Sequence, residues 1–72
     1  MSKNVHVTPS DGGWDVREEG TGRSEHFGTK EEAVNAGRDL AQRNRAEHMI
    51  HSRDGRIRQS DSYGSDPFPP RG

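Results

Sequence analysis

The side chains of this 72-residue chain that could do chemistry are four histidines, two adjacent carboxylate pairs and a scatter of serines. His6, His26, His48 and His51 invite a metal reading, because zinc is held by three or four converging ligands steadied by outer partners. Their spacing opposes it. His48 and His51 are three apart, so on a strand they face opposite sides. His6 and His26 fall on separate strands and meet only if those strands lie close with matching faces. The plain expectation is strand histidines, no metal site and no cofactor. Glu31-Glu32 is explained by a helix start, and Glu18-Glu19 flanks a turn and reads as solvated. General acid–base work needs a pocket that shifts a pKa, and a thin core encloses none. The serines show no nucleophile elbow. Gly12-Gly13 and Gly20-Thr21-Gly22 are turns, because no helix start follows at phosphate-loop spacing. The sequence therefore predicts a protein that is not an enzyme.

The elements that would carry these groups follow from periodicity and turn chemistry. Hydrophobic residues make up 24% of the chain and charged residues 32%, so the core must be small. The apolar residues are nevertheless patterned, which argues for folding over disorder. Residues 4–8 alternate, with Val5 and Val7 on one face. Pro9-Ser10-Asp11-Gly12-Gly13 is a turn cluster. Trp14 and Val16 resume the alternation, with Asp15 and Arg17 outward. Glu19-Gly20-Thr21-Gly22 is a second turn, and residues 23–27 read as a third strand carried by Phe27. Thr29-Lys30-Glu31-Glu32 is a capping box. From there to about Asn44 a helix carries Ala33, Ala36, Gly37, Leu40 and Ala41 along one stripe, with Val34 at its margin. Gly37 costs about 1 kcal/mol against alanine in a helix; close approach to a sheet and simple drift at a half-exposed position are both adequate reasons for it. Residues 46–52 form a fourth strand, with Met49 and Ile50 on opposite faces. Arg53-Asp54-Gly55-Arg56 carries the Asp-Gly hairpin signal. Residues 56–59 form a fifth strand, with Ile57 inward and Arg56 and Arg58 on the other face. The fold class is a small α+β domain of order β-β-β-α-β-β, with one antiparallel or mixed sheet and a single helix packed on one face. Residues 4–63 form the single compact domain. Residues 64–72 are a Pro-rich C-terminal tail, partly docked or disordered.

Three stretches of this chain, GGWDVREEG, FGTKEEAVNAGRDLAQRNRAE and IHSRDGRIRQSDSYGSDPFPPRG, closely resemble a family of small bacterial proteins catalogued as domain of unknown function 2188. The resemblance runs from about Val5 to Gly72. Its most specific piece is Tyr63-Gly64 followed by Asp66-Pro67 and Pro69-Pro70. Where similar members tend to carry an aliphatic residue, this chain has His48. The resemblance implies an architecture and a bacterial or phage origin, and no chemistry.

Charge and compartment bound the partners. The net charge is −1, far from the basic footprint of a dedicated nucleic-acid binder. Residues 1–36 carry four bases against seven acids, and residues 37–72 carry seven against five. No cysteine is present, the start lacks a charged-then-apolar leader pattern, and no apolar run reaches membrane length, so a cytoplasmic protein with no membrane partner is expected. The first functional expectation is a non-enzymatic module acting by protein contacts, with an unknown partner or as a homodimer along an open sheet edge or face. Trp14, Tyr63 and Phe68 are its candidate contacts, with Tyr63 docked over the small-residue core. The alternative is weak nucleic-acid binding through a sheet face bearing Arg17, Arg53, Arg56 and Arg58, with Trp14 or His51 near for stacking.

Overall fold

The computed structural model describes residues 3–63. The tail of residues 64–72, Phe68 included, lies outside them. Strands β1 (Val5–Ser10), β2 (Gly13–Glu18) and β3 (Ser24–Phe27) are followed by helix α1 (Lys30–Asn44) and strands β4 (Glu47–His51) and β5 (Ile57–Ser62). They form one five-stranded sheet in the order β3-β2-β1-β4-β5. The sheet is mixed. β1 runs parallel to β4, and every other pairing is antiparallel. A parallel pair needs a crossover, and β3 with α1 supplies it.

Local chemistry explains the boundaries. Asp11 and Gly12 both take positive φ, 46° and 77°, the two-residue type I′ hairpin geometry that matches strand twist. β1 therefore runs on through Pro9 to Ser10, into the turn cluster that the sequence suggests. Glu19 N–H donates to the Asn4 carbonyl at 2.9 Å, which sets the phase of the β1–β2 ladder and turns the Pro9 nitrogen toward the β4 side. The β1–β4 pairing ends at Val7 opposite Ile50, so the missing N–H costs no ladder bond there. The second Asp-Gly turn differs. Only Gly55 has positive φ, 87°, Ser52 N–H reaches Arg56 carbonyl at 2.8 Å, and the loop has three residues, 53–55.

Helix α1 begins at Thr29, whose hydroxyl accepts from Glu32 N–H at 3.2 Å. It ends at Arg45 in the left-handed conformation. Its buried residues are Ala33, Gly37 and Ala41, one every four positions, which packs a row of small side chains on the sheet. Val5, Val7, Val16 and Ile50 meet that row and complete the core. Trp14, Phe27, Val34, Ala36, Leu40 and Tyr63 pack around it, partly buried. Tyr63 is thus docked as expected, with its N–H on the Ala46 carbonyl at 3.1 Å.

Ile57 is not inward. It is 52% exposed, because α1 packs chiefly on β1 to β4. A register irregularity at Ile50/His51 pairs His51 with Ile57, which places Ile57 on the uncovered face. The fifth strand also continues to Ser62, three residues past the 56–59 expectation.

Candidate functional site

The face of the sheet away from α1 collects His6, Arg17, His26, Met49 and His51, since the buried Val5, Val7, Val16, His48 and Ile50 take the alternate positions. His6 does not meet His26, because β2 stands between their strands. It meets His51 instead. His6 Nδ1 and His51 Nε2 lie 3.0 Å apart, and His6 Nε2 lies 2.5 Å from Glu19 Oε2. His6 Nε2 faces the carboxylate oxygen, which can only accept, and in the Nδ1–Nε2 contact one ring donates to the other. This is a hydrogen-bonded chain across three elements. His6 spends its two nitrogens in opposite directions, so these three groups share no common point for an ion. No cluster of three or more His, Cys, Asp or Glu suited to a metal occurs among the described residues. His26 is separate and bonds Asp15 at 2.7 Å; that bond is the main reason the Asp15 carboxyl is held below its ordinary range.

Most carboxylates on β2 and the turns have structural employment. Glu18 is buried, and it accepts from Asn44 Nδ2 at 2.6 Å and from the Thr21 hydroxyl at 3.0 Å. These two donors, Asn44 first, pull its pKa down. The Glu18-Glu19 pair, expected to be solvated, thus splits: Glu18 ties the β2–β3 turn to the end of α1, while Glu19 stays exposed on His6. Asp54 organises the β4–β5 turn by accepting from the Ser52 hydroxyl and, at 3.2 Å, from Arg56 N–H. Both bonds lower its pKa, the serine's more.

The four arginines of the nucleic-acid reading do not form one patch. Arg53 and Arg56 flank the β4–β5 turn, Arg58 sits on β5, and all are exposed. Arg17 lies opposite His6, His6 opposite Met49, and Met49 opposite Ser60. Three strand spacings, about 14 Å, therefore separate Arg17 from β5. Trp14 is on the helix side, half-buried against the core with Lys30 Nζ 5.5 Å from its ring centroid. Of the three partner-contact candidates, Trp14 and Tyr63 are core-packed and Phe68 is outside the described residues.

What the sequence reading missed is the edge. Tyr63 bonds Ala46, and with Met49 opposite Ser60 the ladder phase turns the Ser60 N–H and C=O away from β4. Ile57 to Ser60 are exposed without interruption. A second surface is the groove between α1 and β3, with Val16, Ala36 and Leu40 as its floor and Arg23, Glu25 and Arg43 at its rim. It exists because β3 is only four residues long and leaves Leu40 half-covered.

A family described as an uncharacterized protein conserved in bacteria (DUF2188) matches residues 5–63. The chain belongs to that family. The match spans β1 to Tyr63, the whole sheet and its helix. No curated protein and no solved structure matches this DUF2188 member. No helix among its described residues is long and apolar enough to cross a membrane.

Proposed function

We propose that this chain is a small non-enzymatic interaction module that pairs with a second copy of itself along the open edge of β5. The observation that carries the reading is the β5 edge, which no described strand covers: α1 packs on the other four strands, Ser60 turns its main-chain groups outward, and Ile57 is 52% exposed beside them. Unpaired strand edges recruit another strand by main-chain hydrogen bonds. The core leaves a further motive. Its fully buried large side chains are His48, Val5 and Val7, and a small domain with so little inside gains stability from association. The non-enzymatic part rests on Glu18 and Asp54, whose carboxylates are engaged in the tie to α1 and in the β4–β5 turn.

Sedimentation across the micromolar range tests it. The wild-type chain is expected to shift from monomer to dimer with concentration. Ser60→Pro removes one outward N–H and leaves the β4 side of the ladder intact; it is expected to sediment as a monomer with an unchanged circular dichroism spectrum. A wild type that stays monomeric at every concentration, or a Ser60→Pro variant that dimerises equally well, overturns the reading. Weak nucleic-acid binding is the second reading, favoured by the three exposed arginines that share the β4–β5 hairpin.

A further inference from the structure

His48 is the largest fully buried side chain of the described residues, at 1% exposure, and neither of its ring nitrogens has a hydrogen-bond partner. Buried polar atoms of this kind are uncommon and costly. Its place is specific. The ring lies under Gly37 of α1, where an added Cβ would come within 2.7 Å of His48 Nε2 and 2.9 Å of Val7 Cγ2. The small-residue stripe of the helix thus seats an imidazole at the middle of the helix–sheet contact. β1 places Val5 opposite it. β5 places Asp61 opposite it on the other flank, and α1 contributes Arg38.

We propose that His48 is an acid-sensitive latch between α1 and the sheet: one proton taken from solvent by its ring loosens the helix from β4. A neutral imidazole fits the dry contact at the cost of two unmade hydrogen bonds. An imidazolium there carries a charge into the same space with two unsatisfied donors. Asp61 is the opposite charge that bears on it among the described residues, and Arg38 opposes it. Burial, the dominant cause, and Arg38 hold the His48 pKa down, while Asp61 pulls it up. The folded ring therefore takes a proton less readily than the unfolded one. The stability contributed by the neutral ring is complete above the unfolded value, about 6.5. It is lost as pH falls below that value, by up to about tenfold in the folding constant per pH unit.

The test compares urea unfolding of the wild type and His48→Leu from pH 8 to 5, with emission of the single tryptophan as a second readout. Trp14 lies beside Lys30 of the first helical turn, so it reports the helix leaving the sheet. The wild type is expected to lose up to about tenfold in folding constant per pH unit below about 6.5 relative to the leucine variant, with a parallel red shift of Trp14. Histidine ring titration by NMR on the wild-type chain keeps the test decisive even where the leucine variant does not fold. There, the His48 ring is expected to stay neutral below the unfolded value for as long as the fold is intact. Equal pH slopes in the two chains, an unmoved Trp14 through the loss, or a His48 ring that titrates in the ordinary range with the fold intact would each overturn the latch.

Discussion

Two side chains of the same type reach opposite fates here because of what surrounds them. Glu18 and Glu19 are neighbours in sequence, yet one is buried on Asn44 and Thr21 and the other lies exposed on His6. The depressed pKa of Glu18 has a definite sign. Its ionised form contributes stability above the ordinary glutamate range, and that contribution is lost as pH falls through the folded value. Glu18→Gln is therefore expected to lower the melting temperature at pH 7. The gap to wild type should close as pH drops toward 3, because protonated Glu18 resembles the amide. Thermal melts at four pH values check this; a gap that stays constant with pH would show that packing, not charge, is what the substitution removes. The acid loss predicted for His48 lies at higher pH, so the two are separable in one titration.

At the level of the helix, Gly37 is retained for close approach. On propensity alone, Gly37→Ala should stabilise α1 by about 1 kcal/mol. The clash with His48 and Val7 reverses the sign, because overpacking a filled contact costs about 1–3 kcal/mol. Net destabilisation by about 1 kcal/mol is expected from urea unfolding. His48→Ala opens the space that the new methyl would occupy, so the double variant should be more stable than the sum of the two single changes implies. Additivity within error would mean that the ring and the glycine do not share a constraint. The same approach argument holds at Gly13, where a Cβ would stand 2.3 Å from the Phe27 carbonyl oxygen, so β3 can seat against β2 only because that position is bare.

Over the whole molecule, the charge is nearly balanced and its arginines are dispersed. A patch of three exposed arginines at one hairpin neutralises few phosphates, and affinity for duplex falls steeply with salt when it depends on such contacts. Fluorescently labelled duplex is expected to bind weakly at 20 mM salt and to dissociate almost completely at 150 mM. Arg53→Ala with Arg56→Ala should remove most of the low-salt signal, whereas Arg17→Ala, about 14 Å from β5, should leave it nearly unchanged. Loss from Arg17→Ala equal to that of the pair would place the contact on the open face instead of the hairpin. The edge-to-edge pairing proposed above also belongs to this scale, since joining two β5 strands would double the sheet without moving a core residue.

Element order, the helix cap and most of the core were legible in the sequence, because they are set by contacts within a few residues. Alternation placed Val5, Val7 and Val16, the Thr29 hydroxyl announced the helix, and the resemblance carried by the stretches within residues 5–63 led to the right family. Tertiary structure decided the rest. Strand order brought β4 beside β1, so His6 met His51 and not His26, a partner 45 positions away that no local period encodes. The helix is long enough to cover four strands and not the fifth, which turned Ile57 from an expected core residue into an exposed one. The role of Gly37 was undecidable from spacing, because the imidazole that requires its bareness comes from a strand that follows the helix. Short-range chemistry is written in adjacent letters; which faces end up covered depends on where the chain returns in space.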